Sequence, residues 1–80
     1  MKDSYFIMKK IAIKTDFITL GQFLKFADIV SSGGMTKILL EESKIHVNDL
    51  VENRRGKKCY PGDKISVEGY GNYRIVKNED

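Results

Sequence analysis

Thr19-Leu20-Gly21-Gln22-Phe23-Leu24-Lys25, and after a short gap Ser32-Gly33-Gly34-Met35-Thr36-Lys37-Ile38-Leu39-Leu40, are the two phrases on which the fold turns. Thr19 stands where an N-cap belongs and Gln22 follows at the position of the reciprocal partner in a capping box. Leu20, Phe23, Leu24 and Ala27 recur at i, i+3, i+4 and i+7, which predicts a helix over residues 20–30 with Lys25 and Asp28 on its wet face. Ser31-Ser32-Gly33-Gly34 interrupts that pattern and supplies capping hydroxyls before a second periodic stretch built on Met35, Ile38 and Leu39. A second helix is expected over residues 34–42. The connection between the two is so short that they pack as neighbours.

Outward from this pair the period changes to two. Ile45 and Val47 alternate with Lys44 and His46, as in a half-buried strand. Asn48-Asp49 tolerates positive φ and turns the chain into Leu50-Val51. Tyr60-Pro61-Gly62-Asp63 has the Pro-Gly pair of a type II turn. Ile65 and Val67 open another strand, Gly69-Tyr70-Gly71-Asn72 turns it, and Tyr73-Arg74-Ile75-Val76 alternates again. Before the helices, residues 5–14 are rich in β-branched and aromatic residues and read as an added N-terminal strand, with Lys9-Lys10 marking an exposed edge or a bulge. One α+β domain over residues 1–80 accounts for the whole chain, with two helices beside short antiparallel strands.

The composition narrows the chemistry. With 14 Lys and Arg against 11 Asp and Glu, the net charge is +3, too small to identify a partner unless the cations cluster. One cysteine cannot form an internal disulfide, which fits a reducing, cytoplasmic setting. No stretch approaches the roughly 20 apolar residues of a membrane span. One histidine and one cysteine make no metal cluster, and no nucleophile with its base and orienting group can be assembled. Lys57 and Lys58 beside Cys59 would favour a thiolate. The plainer reading, a strand-end cysteine on basic surface, is preferred, and His46 reads as a surface strand residue. The glycines form neither a dinucleotide fingerprint nor a P-loop. The expectation is a protein with no cofactor, no small-molecule substrate and no catalysis.

The cations do cluster. Asn53-Arg54-Arg55-Gly56-Lys57-Lys58 holds four of them and no acid. Arginines fork onto phosphate oxygens, lysines act as mobile point charges, and Gly56 lets the loop bend, so the hexamer suits a phosphodiester backbone. A solvated loop is the plain alternative. Ser32-Gly33-Gly34 begins a helix whose N–H groups carry partial positive charge, with Lys37 one turn inside. Taken alone it is an ordinary cap; joined to the hexamer it becomes the second half of a phosphate site. Tyr60, Tyr70 and Tyr73 could stack on bases but are equally explained by strand packing.

Together these phrases, with Ile45-His46-Val47-Asn48 and Pro61-Gly62-Asp63-Lys64-Ile65, resemble an S4 RNA-binding domain with its core motif at residues 19–67. Within that superfamily the chain is most similar to the short, stand-alone bacterial YaaA-like proteins. The resemblance implies two helices packed on a small antiparallel sheet, with the start of the second helix, its exposed face and adjoining loops contacting RNA. By position it assigns RNA contacts to Ser32, Gly33, Gly34 and Lys37, with Lys44 leading into the Val47-Asn48 phrase and Asn53, Arg54, Arg55, Lys57 and Lys58 in the loop beyond. Family members often begin the helices with Arg-Leu-Asp and Ser-Arg-Ser, where this chain has Thr19-Leu20-Gly21 and Ser32-Gly33-Gly34, and many have glycine where Asp49 stands. Two usual cations are therefore missing, which shifts phosphate binding onto Arg54, Arg55, Lys57 and Lys58. The implied function is non-catalytic binding of structured RNA, ribosomal RNA first and tRNA second, in ribosome assembly or translation, with the large subunit as the expected particle. The alternative is a protein-interaction module that docks on an acidic partner.

Overall fold

The computed structural model describes residues 8–78, in which two helices lie against a five-stranded sheet. In chain order the elements are β1 (Met8–Ile13), β2 (Ile18–Thr19), α1 (Leu20–Phe26), α2 (Gly33–Glu41), β3 (Ile45–Val47), β4 (Leu50–Val51), β5 (Lys58–Cys59), β6 (Lys64–Val67) and β7 (Gly71–Lys77). The large sheet has the order β1-β7-β6-β3-β4, and β2 pairs with β5 as a separate two-stranded ladder. From β7 to β4 the pairing is antiparallel, as expected, but β1 joins β7 in parallel, so the sheet is mixed. β1 is an edge strand, and exposed Lys9 and Lys10 lie on it, charges of the kind that discourage edge-to-edge pairing. Residues 5–7 of the expected first strand lie outside the described residues.

The capping box forms in full: the Thr19 hydroxyl accepts from the Gln22 N–H at 3.3 Å and the Gln22 side chain accepts from the Thr19 N–H at 3.2 Å. Helix α1 then ends at Phe26, short of the predicted residue 30. Asp28 adopts φ of 63°, and the N–H groups of Ile29 and Val30 both return to the Leu24 carbonyl, so a turn replaces the last helical residues. Ile29 and Val30 are nevertheless buried, which is why the apolar pattern ran on past the helix.

Helix α2 lies within one residue of its expected bounds but shows a different face. Thr36 and Leu40 are buried, whereas Met35 and Ile38, expected inside, are 39% and 54% exposed. Its inward row is thus Thr36–Leu40, an i, i+4 pair, with Leu39 half-buried beside it.

The core gathers Leu20, Phe23 and Leu24 of α1 against Ile45, Ile65, Tyr73 and Ile75 of the sheet. Phe23 meets Tyr73 edge to face, with ring centroids 5.6 Å apart and planes at 80°. Asn48 and Asp49 take φ of 52° and 72°, as the two-residue hairpin between β3 and β4 requires. Asn48 also accepts from the Lys64 N–H at 2.9 Å and donates to Asp63 at 3.1 Å, tying that hairpin to β6. At the Pro61-Gly62 turn, the Asp63 N–H reaches the Tyr60 carbonyl at 2.9 Å and Gly62 has φ of 100°, the positive φ a type II turn needs.

Candidate nucleic-acid interface

The basic hexamer is stitched to the start of α1. The Leu20 N–H donates to the Lys57 carbonyl at 2.8 Å, and the Gly21 N–H donates to the Arg55 carbonyl at 2.9 Å. Thr19 and Ile18 pair with Lys58 and Cys59 on β5. The first N–H groups of α1 are therefore satisfied by the loop and by Thr19, and this helix end has none left for an anion. What it does is fix the loop.

The start of α2 is built differently. The Ser32 hydroxyl accepts from the Met35 N–H at 3.4 Å, while among the described residues no acceptor is placed on the N–H groups of Gly33 and Gly34. Across this end lies Arg55. A methyl group added to Gly33 would come within 3.2 Å of Arg55 Nη2, and one added to Gly21 within 3.4 Å of the Arg55 carbonyl oxygen. Gly21 and Gly33 thus make room for an arginine from the loop.

One cleft beside Arg55 is lined by Lys37, Asn53 and Glu41; another is lined by Gly21, Gln22, Lys25 and Gly56. Arg55 belongs to both clefts, so it stands between two further cations, Lys37 from the middle of α2 on one side and Lys25 from the last turn of α1 on the other. None of the described ion pairs involves any of these three cations or Glu41. The sequence pattern alone puts Lys25 on the wet face of α1 with no further role. The signal available was its i+4 spacing from Gly21, which becomes meaningful once the loop is known to pack there.

The remaining cations are placed elsewhere. Arg54 is bound to Glu52 by a forked pair, Nε to Oε2 at 2.8 Å and Nη2 to Oε1 at 3.2 Å, and its N–H also donates to Oε2 at 3.1 Å. These bonds hold the Glu52 carboxyl below its ordinary range and raise the Arg54 guanidinium above its own. The hexamer contains no acid, but the residue just before it supplies one. Lys57 and Lys58 line a separate groove with Asn48, Leu50 and Tyr60, and the Lys58 ammonium stands 4.9 Å over the Phe17 ring. Lys44 lines neither cleft and pairs with Glu42 at 3.6 Å. Asp49 is paired with Lys64 at 2.7 Å, and that bond keeps its carboxyl below the usual range, so its charge is offset locally.

Cys59 is fully buried, and burial pushes its thiol up to about 11, against the thiolate that neighbouring lysines would favour. Since the unfolded thiol titrates near 8.5, the folded state holds its proton longer, and stability falls as pH rises from about 9 to 11. A thiol-reactive reagent at pH 8 should label the unfolded chain and spare the folded one, and Cys59→Ala should flatten the alkaline decline in urea-melt midpoints. Among the described residues no group of three His, Cys, Asp or Glu side chains could hold a metal ion, and no helix is long and apolar enough to cross a membrane.

A fold of two helices on a small sheet, with a basic loop laid over the helix starts, is that of an S4 domain. The family model for the S4 domain matches residues 11–76, and the chain belongs to that family. Among individual proteins it is similar to the probable ribosome maturation protein RlbA of Bacillus subtilis strain 168. The two are 53% identical over 66 residues, covering 82% of this chain and 93% of the relative.

Proposed function

We propose that the protein binds structured RNA without catalysis, ribosomal RNA foremost, during maturation of a ribosomal particle in the cytoplasm. The observation that carries this reading is the position of Arg55 across the α2 start, with Lys37 in the same cleft and Lys25 in the next. A phosphate seated at the α2 start meets the Arg55 guanidinium beside Gly33, and neighbouring phosphates of the same backbone fall to Lys37 in one cleft and Lys25 in the other. Membership of the S4 domain family and the ribosome maturation name of the Bacillus relative support the same reading. The large subunit is the proposed particle, with tRNA as a second RNA class. An A-form helix exposes phosphates and 2′-hydroxyls more readily than base edges, so recognition is chiefly of shape.

The test is an anisotropy titration with ribosomal RNA fragments across a salt series. Three phosphate-contacting cations predict a slope of log K against log salt of about −3 on the duplex rule, and Lys37→Ala should reduce its magnitude by about one. Salt-insensitive binding, or a stoichiometric complex with an acidic protein that survives RNase, would overturn the proposal in favour of a protein-docking module.

A further inference from the structure

Alongside these cations runs an apolar groove that phosphate binding leaves unused. Its wall is made by Phe17, Ile18 and Phe26, and Gln22 and Lys25 stand at its rim. Gln22 and Lys25 also line the cleft that holds Arg55, so groove and cleft adjoin across these two side chains. Phe26 closes α1 with 60% of its surface exposed, although a phenylalanine on a plain solvated face contributes nothing to folding there. Beyond it the apolar surface extends over Ala12 and Ile13.

We propose that this groove receives one unpaired nucleobase of the bound RNA, stacked on Phe26, while the adjoining phosphate rests on Lys25 and Arg55. The inference rests on the RNA-binding reading above and specifies what kind of RNA it takes. An occupant must place a flat apolar surface against Phe26 and an anion beside Lys25, and a nucleotide carries both on neighbouring atoms. Thr15 and Asp16 also line the groove, and the Asp16 carboxylate is paired with Lys77 at 3.4 Å, which offsets its charge. Lys58, standing over Phe17, adds a second cation near the aromatic wall. Bases inside a continuous A-form helix are paired and stacked out of reach, so the target has a bulge, loop or end at this point. An aromatic platform is tolerant of base identity, and the selection is for an unpaired base rather than a sequence.

The probe is a pair of blunt RNA duplexes, one fully paired and one with a single bulged 2-aminopurine, titrated at low salt. Wild type should bind the bulged duplex roughly tenfold more tightly, within the range of one base–aromatic stack, and the 2-aminopurine emission should change on binding. Phe26→Ala should lose that preference and the emission change while binding the paired duplex as wild type does, and Phe26→Trp should restore both. Equal wild-type affinity for the two duplexes overturns the proposal and leaves RNA binding intact. So does a bulge preference that survives Phe26→Ala, which would give the groove to another occupant such as an apolar segment of a protein. Failure of wild type to bind either duplex removes the RNA reading and this inference together.

Discussion

Arg55→Glu is expected to lower affinity for ribosomal RNA by about two orders of magnitude, whereas Arg54→Gln should change it by less than about threefold. Both arginines are exposed neighbours in one loop, and a count of charge would treat them alike. Their surroundings differ. Arg54 already has its fork occupied by Glu52, so a phosphate could recruit it only by displacing a carboxylate held by two side-chain bonds. Arg55 has no acid partner among the described residues, and its Nη2 lies 3.2 Å from where a Gly33 side chain would begin. Its replacement by Glu removes a charge-assisted hydrogen bond worth about 1.5–3 kcal/mol and sets a carboxylate where the phosphate would sit. At about 1.4 kcal/mol per tenfold, two orders of magnitude is the expected sum.

The fold should survive Arg55→Glu, because the loop is anchored through the backbone carbonyls of Arg55 and Lys57 rather than through the guanidinium. An unchanged thermal melt would establish that. Glu52→Gln supplies the opposite sign: it releases Arg54 and deletes an acid, and affinity should rise severalfold. Equal losses from the Arg54 and Arg55 variants would mean that the loop acts as an undivided cloud of charge, and the geometric division would fall.

That division shows where sequence reading reached its limit. Local chemistry was legible: the Thr19–Gln22 box, the Asn48-Asp49 hairpin and the Pro61-Gly62 turn each follow from residues a few positions apart, and all three formed. Burial was legible too, but burial and helix are different properties. Ile29 and Val30 sustained the apolar period while the backbone had already turned at Asp28. The parallel pairing of β1 with β7 joins residues over sixty positions apart, and nothing local to either strand encodes its partner. For the site, the presence of cations was readable, whereas their availability depends on side-chain partners. Arg54 and Lys44 pair with Glu52 and Glu42, and Lys25 comes beside Arg55 because the loop folds back onto α1.

Phe23→Ala is expected to be the most damaging single substitution for stability, at about 3–5 kcal/mol. Phe23 is completely buried, its ring stands edge-on to Tyr73, and it fastens α1 to the sheet through β7. A domain of this size has a total stability of order 4–12 kcal/mol, so the variant would be substantially unfolded at physiological temperature or close to it. The loss has a functional echo, since α1 supplies the N–H groups that hold the Arg55 and Lys57 carbonyls. Affinity of Phe23→Ala for RNA should therefore fall in proportion to the folded fraction and recover on cooling or with a stabilising osmolyte, whereas the loss in Arg55→Glu should persist under every condition that keeps the chain folded. Phe26, three residues along the same helix, provides the control: it is mostly exposed, so Phe26→Ala should cost less than about 1 kcal/mol. Urea melts of the two alanine variants decide the matter. A Phe26 variant as unstable as the Phe23 variant would mean that Phe26 is a core residue, and the groove beside it would no longer be open to a base.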